Sequence, residues 1–137
     1  MIKAFTDAWL ANQSVLREKF AAKHPDNYMA VVRAVVEILA NADDHGDNPD
    51  PRRIHEIDDG GYNGALAYVI GASGYERRRY WCVKIRYGTC SQCDTLKGIH
   101  DLNDLSDGPP NEEQVRDYMT LAMHIVQGLR EMDDIGV

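Results

Sequence analysis

Cysteine, proline and long apolar runs are all scarce in this chain. Three cysteines among 137 residues are an odd number, which argues against the disulfide framework of a secreted protein and favours reduced thiols. No apolar run approaches the roughly 20 residues that span a bilayer, and no unbroken apolar core follows the N-terminus as it would in a secretory signal. We therefore predict a cytoplasmic protein without a membrane partner.

Positive charge is also scarce. The chain carries 15 lysines and arginines against 22 acidic residues, which gives a net charge of -7 at pH 7. This balance disfavours broad binding to nucleic acid or to an anionic membrane. With 44% hydrophobic residues the composition is that of an ordinary globular protein, and residues 1–137 have the length of a single domain. The sequence predicts one small acidic domain.

Motifs of well-known enzyme classes are missing too. There is no phosphate-cradling glycine loop followed by Lys-Ser or Lys-Thr, no His-Glu-x-x-His and no serine elbow. His55 with Asp58 and Asp59 could form an acid–base cluster near a turn, although a hydrated hairpin tip explains the same residues. We therefore favour a binding protein over an enzyme and predict no cofactor.

Two helical patterns open the chain. Residues 2–22 form an amphipathic pattern that stops at His24 and Pro25. Asp26 or Asn27 can then cap a second helix, whose apolar stripe covers about half of its circumference. Such a wide stripe indicates a heavily buried helix, although its many β-branched residues favour strands in isolation.

The last helix has the clearest signals in the sequence. It is predicted over residues 112–132, with Asn111 as the N-cap and Gln114 at the capping-box position. Leu121 is predicted to point away from the apolar stripe of this helix. An exposed leucine there would suit self-association as a homodimer.

Strand and turn signals alternate in the middle of the chain. Residues 41–53 are polar and contain two prolines, so they predict a loop. Strands are predicted over residues 54–57, 65–70 and 78–87, and the glycine-rich turns between them are short enough for an antiparallel meander. We predict an α+β fold in which a three-stranded antiparallel meander packs against two long helices, with an additional N-terminal helix.

The third predicted strand concentrates positive charge. Five of the 15 positive charges lie between Arg77 and Arg86, and arginine beside aromatic rings suits phosphate binding and base stacking. Alternatively, Glu56, Asp58 and Asp59 on the neighbouring hairpin neutralise these charges as cross-strand pairs. The residues predicted to contact a ligand or partner are Arg77, Arg79, Tyr80, Lys84, Arg86 and Tyr87.

Cys90-x-x-Cys93 follows this strand and is half of a zinc knuckle. His100 could supply a third ligand, whereas Cys82 would lie roughly 16 Å or more away along an extended strand. The same two thiols before a short helix are typical of a thioredoxin motif, but the order of helices and strands does not match that fold. We predict that Cys90 and Cys93 pack as structural thiols; a zinc site would use both of them with His100.

Three segments resemble a family of small bacteriophage and prophage proteins without an assigned activity. The family pattern has Asp-Tyr-Gln-Gly-Thr before the middle strand and Tyr-Gly-Ser-Cys-Ser-Gly-Cys-Asp-Thr-Leu at the turn. The resembling segments are residues 59–64, 87–96 and 113–121. This chain departs from the pattern at Gly61, Asn63, Ala65, Thr89 and Gln92. The resemblance implies a phage or bacterial origin and a small accessory role, and it transfers no catalytic residue.

These observations predict a small non-enzymatic accessory protein of phage or prophage type that engages a host or phage macromolecule, most simply a protein, through its basic strand. Two alternatives stay open. The same arginines could bind a nucleotide or another phosphorylated small molecule. The Cys-x-x-Cys segment could instead bind zinc or take part in thiol redox chemistry.

Overall fold

The protein folds into an antiparallel sheet with its helices on one face. The structure is a computed structural model that describes residues 3–40, 42, 48–58, 64–73, 79–86, 95–100 and 109–132, with only the backbone described at 95, 97 and 100. The elements are α1 (Lys3–Ala22), α2 (Tyr28–Leu39), β1 (Pro49–Asp58), β2 (Ala65–Ala72), β3 (Tyr80–Arg86), α3 (Thr95–His100), α4 (Glu112–Gly128) and β4 (Arg130–Met132). The strands pair antiparallel in the order β1-β2-β3-β4. The predicted α+β class is confirmed.

The first two helices follow their sequence signals. The predicted apolar stripe of α1 is buried, with Phe5 and Phe20 near its two ends. Asn27, and not Asp26, caps α2: its Oδ1 accepts a hydrogen bond from the backbone N–H of Ala30 at 2.9 Å. The four valines of α2 are fully buried, so packing outweighs their modest helix propensity.

The helix-facing side of the sheet forms one wall of the core. Alternation along β2 and β3 buries every second side chain, and the register places these residues opposite one another. The buried pairs are Leu66 with Ile85, Tyr68 with Val83 and Ile70 with Trp81. The Phe5 ring of α1 reaches this layer, with its centroid 5.8 Å from that of Trp81.

The last helix is shorter than predicted. It ends at Gly128, and Leu129 adopts an extended conformation with ψ 128. Residues 130–132 then pair with β3 as β4, so the prediction of a helix to residue 132 and of only three strands is wrong. Gly128 explains part of the change: a Cβ there would lie 3.2 Å from Cγ2 of Val83, which shows how closely the helix end approaches the sheet.

Strand β1 is longer than predicted. The prediction of a loop over residues 41–53 is wrong for the part from Pro49 onward, which belongs to β1. The register shifts between Pro49 and Ile54, and β1 lies at the edge of the sheet. Edge strands tolerate proline because one side of the strand needs no backbone donor.

Leu121 lies in the core and not on the surface. Its side chain is only 8% exposed, because α1, α2, α3 and β3 all contact α4 and its buried arc is therefore wider than one apolar stripe. The prediction that Leu121 points outward is wrong. This residue provides no surface for a homodimer.

Candidate functional site

One face of the sheet is turned away from the helices, and we call it the open face. Alternation and register place on it the residues out of phase with the buried pairs. Two of its apolar side chains are strongly exposed, Ile57 at 58% and Met132 at 40%. The members of the open face are His55, Ile57, Ala65, Ala67, Val69, Gly71, Tyr80, Cys82, Lys84, Arg86, Arg130 and Met132.

Charge is segregated between the two faces of the sheet. Lys84 and Arg86 are exposed on the open face. The register also places Arg130 there, but its Nη1 donates to the carbonyl oxygens of Gln127 at 2.7 Å and Leu129 at 3.1 Å, at the end of α4. Among the register-paired residues of the described strands, the acidic ones are all in phase with buried residues of the other face: Glu56 opposes Tyr68, Asp58 opposes Leu66 and Glu131 opposes Trp81. The open face is therefore cationic in a chain whose net charge is -7.

This arrangement corrects the predicted cross-strand neutralisation. Strand β2 separates β1 from β3, so Glu56 and Asp58 do not oppose the basic residues of β3, and they belong to the other face. Glu56 instead accepts a 2.6 Å hydrogen bond from the hydroxyl of Tyr68. Asp59 lies outside the described residues. The His55 and Asp58 acid–base cluster is also wrong, because these two residues are on opposite faces of β1.

A shallow trough runs along β2 on the open face. The open-face residues of this strand are all small: Ala65, Ala67, Val69 and Gly71. The flanking strands carry longer side chains at the paired positions, so the trough has Ile57 on its β1 side and Lys84 and Arg86 on its β3 side.

One end of the trough is closed by Arg53. Its guanidinium lies 5.7 Å from the ring centroid of Tyr80, and its Nη1 donates to the carbonyl oxygen of Ala72. A Cβ on Gly71 would approach Arg53 Cζ to 2.6 Å, so the absence of a side chain at Gly71 makes room for the guanidinium. The accessible part of the trough is the other end, around Ala65 and Ala67.

The side chain of Arg79 is held within the protein by Glu131 and is not available to contact a partner. It donates to Glu131 with two bonds, from Nε at 2.8 Å and from Nη2 at 3.0 Å. Its Cζ also lies 5.4 Å from the ring centroid of Trp81. These contacts join β3 to β4, so the charge of Arg79 is neutralised within the protein.

The predicted contact residues are thus only partly brought together. Tyr80, Lys84 and Arg86 share the open face as predicted, while Arg77 and Tyr87 lie outside the described residues. Sequence reasoning missed Arg53 and Arg130, because it placed Arg53 in a loop and Arg130 in a helix. Neither residue carries a local signal in the sequence, because only the positions of β1 and β4 at the two edges of the sheet bring these residues to it.

The cysteine motif stays a prediction. Cys90 and Cys93 lie outside the described residues, and only the backbone of His100 is described. In the parts of the chain that the structure covers, no three His, Cys, Asp or Glu side chains gather in a way that could hold a metal ion. Cys82 is a free, half-buried thiol on the open face.

The main cavities of the described residues lie between helices. One of about 150 Å³ is lined by the end of α1 and the start of α2, including Lys19, Lys23 and His24. Its two lysines are paired within the protein, Lys19 with Glu37 at 2.8 Å and Lys23 with Asp26 at 3.5 Å. This cavity therefore offers a bound anion little net charge.

No protein-family model, curated protein or solved structure matches this chain. The resemblance to phage proteins stays a prediction. None of the described helices has the length and apolar character needed to cross a membrane.

Proposed function

We propose that this chain is a non-enzymatic accessory binding protein of phage or prophage type, and that it engages a host or phage macromolecule through the open face of its sheet. The observation that carries the proposal is the segregation of charge. Lys84 and Arg86 are exposed and form no ion pair among the described residues, although acidic residues outnumber basic ones in the chain. Cations without an ion pair among the described residues, on the same sheet face as the exposed side chains of Ile57 and Met132, are typical of a contact surface.

The shape of the open face supports a macromolecule over a small ligand. Small-molecule sites are concave and enclose most of their ligand, whereas Lys84 and Arg86 line none of the cavities found between the described helices. A broad, shallow surface with apolar residues beside cations instead fits the chemistry of a protein interface. Among its described residues, this surface does not contain a constellation of catalytic groups.

The test is comparative capture of partners. The double variant Lys84→Ala/Arg86→Ala is compared with wild type and with Arg17→Ala/Arg33→Ala, a control that removes the same charge from exposed positions of α1 and α2. Each protein is cross-linked in bacterial lysate, and its partners are quantified by mass spectrometry. We expect the first variant to lose partners that wild type and the control retain. Equal recovery by all three proteins would contradict the proposal.

A nucleotide or another phosphorylated small molecule is the second candidate. It is favoured by one observation: Lys84 and Arg86 are exposed on the same face of one strand, where both could contact a phosphate group. Calorimetry with a nucleotide panel tests it, because loss of one phosphate-binding hydrogen bond should weaken binding by ~1–3 kcal/mol. Binding of a nucleotide by wild type and not by Lys84→Ala/Arg86→Ala would favour this candidate.

A further inference from the structure

The accessible end of the trough has two chemically different sides. On the β1 side Ile57 is exposed. Its partner on β2 is Ala67, whose short side chain leaves space above the strand. On the β3 side Lys84 and Arg86 follow at alternate positions of one strand, so their side chains emerge about 7 Å apart in the same direction. A molecule in the trough would therefore meet apolar surface along one edge and positive charge along the other.

The size of the open face limits what it can receive. Four strands at about 4.8 Å spacing make a surface roughly 14 Å wide, and the seven residues of β3 extend over roughly 23 Å. A single helix is about 10 Å across with its side chains, so it fits along the trough within these dimensions.

Charge and aromatic content argue against two other occupants. Single-stranded nucleic acid binds by stacking its bases on several aromatic rings, but Tyr80 is the aromatic residue on the described part of the open face, and Arg53 lies over its ring. A second copy packed face to face would set one cationic surface against another, which is electrostatically unfavourable. Nucleic acid would therefore lack rings to stack on, and a second copy would face charge repulsion.

We infer that the open face binds an acidic amphipathic helix of a partner protein. The helix lies along β2, with its apolar stripe against Ile57, Ala67 and Val69 and its carboxylates against Lys84 and Arg86. This inference rests on the proposed function and names the chemistry of the partner at the same site. Helices of this kind bury one apolar face in a groove and use charge for orientation and specificity.

The probe is a fluorescent peptide of about four helical turns made of leucine and glutamate at helical spacing. Its controls are a scrambled peptide of the same composition, which has the charge without the apolar stripe, and an oligodeoxythymidylate. Binding is measured by fluorescence anisotropy to wild type, to Lys84→Ala/Arg86→Ala, to Ile57→Thr and to the Arg17→Ala/Arg33→Ala control. Ile57→Thr keeps a β-branched residue in the strand and removes apolar surface.

We expect the amphipathic peptide to bind wild type and the charge control equally. Its affinity should fall roughly tenfold or more for Lys84→Ala/Arg86→Ala and by a few fold for Ile57→Thr, with weaker binding at high salt. The scrambled peptide should bind more weakly than the amphipathic one. Alkylation of Cys82, followed by peptide mass spectrometry, should slow when the amphipathic peptide is bound, because Cys82 lies on the same face.

The possible failures are distinguishable. If the scrambled peptide binds as well as the amphipathic one, or Cys82 is not protected, the inferred helix is wrong. If the oligonucleotide binds and depends on Lys84 and Arg86 while the peptide does not, the partner is a nucleic acid and only the proposed function stands. If no probe binds and partner capture is also independent of Lys84 and Arg86, the inference and the proposed function fail together.

Discussion

Tyr68 combines a fully buried ring with a hydroxyl that reaches the edge of the sheet. Its side chain is 0% exposed in the central strand β2, and its hydroxyl donates to Glu56 on the neighbouring strand at 2.6 Å. Burial raises the pKa of Tyr68 well above its usual range, and the hydrogen bond to Glu56 and the charge of this carboxylate raise it further. The folded protein therefore keeps this phenol protonated in alkaline solution.

This raised pKa predicts a loss of stability at high pH. The unfolded chain releases the Tyr68 proton near pH 10, while the folded chain retains it, so the stabilisation is complete below pH ~10 and declines above it by about 1.4 kcal/mol per pH unit. Tyr68→Phe should lack this decline and cost about 1 kcal/mol at neutral pH. Urea unfolding at neutral pH and near pH 11 measures both. Tyr80→Phe is the control, and an equal alkaline decline in wild type and Tyr68→Phe would contradict the assignment.

Two leucines of the helices differ strongly in their exposure to solvent. Leu121 is 8% exposed and Leu10 is 63% exposed. We expect Leu121→Ala to lower the free energy of unfolding by ~2–5 kcal/mol, because it leaves a cavity in the core, and Leu10→Ala to change it by less than ~0.5 kcal/mol. Chemical denaturation of both variants provides the comparison. Similar losses for the two would mean that Leu121 is not packed as described.

At the scale of elements, Gln114 joins the start of α4 to α3. Its Oε1 accepts from the backbone N–H of Asn111 at 2.9 Å, as part of a complete capping box, and its Nε2 donates to the carbonyl oxygen of Ile99 at 3.1 Å. The side chain is buried, so both of its bonds are shielded from water. The first turn of α4 and the short helix α3 therefore depend on the same residue.

Removal of this side chain should destabilise the protein through both helices. We expect Gln114→Ala to lower the free energy of unfolding by ~1–3 kcal/mol, since it leaves a buried carbonyl without its donor and disrupts the cap. Gln127→Ala, at an exposed position of the same helix, should have little effect. Hydrogen exchange should show faster exchange in both α3 and the first turn of α4. Faster exchange confined to α4 would show that the bond to Ile99 contributes little.

The elements that the sequence predicts correctly are those with local signals. The apolar stripes of α1 and α2, the capping box of α4 and the alternation in β3 are each contained in one segment, and all are found. Strand β4 has no such signal, because the pattern of polar and apolar residues does not change between α4 and Arg130–Met132. This segment becomes a strand by pairing with the free backbone groups along the edge of β3. The start of β1 was missed because Pro49 and Pro51 are typical of loops. Proline is tolerated in β1 because this strand lies at the edge of the sheet, and the sequence does not show that position.

At the scale of the whole molecule, the candidate site was predictable only within one strand. Alternation places Tyr80, Lys84 and Arg86 on a common face without any tertiary information. The order of the strands decides the rest: in the predicted meander β2 already stands between the acids of β1 and the cations of β3, so the expected cross-strand pairing did not follow from the predicted order. Arg53 and Arg130 reach the open face only through pairing that the sequence does not reveal.

The basic residues around β3 should divide into two groups, one that holds the fold and one that binds a partner. Arg79 pairs with Glu131 and lies over Trp81, but the pair is nearly half exposed, so we expect Arg79→Ala to cost ~0.5–1 kcal/mol of stability. Lys84→Ala/Arg86→Ala removes exposed charges that form no ion pair among the described residues, so it should change stability by less than ~0.5 kcal/mol.

Binding should show the opposite order for these variants. Lys84→Ala/Arg86→Ala should lose the partner that wild type captures, whereas Arg79→Ala should retain it once the protein is folded, because Glu131 already neutralises Arg79. Urea unfolding and partner capture on the same three proteins test the division. If the double variant is destabilised as much as Arg79→Ala, Lys84 and Arg86 support the fold, and loss of capture could no longer be attributed to the open face.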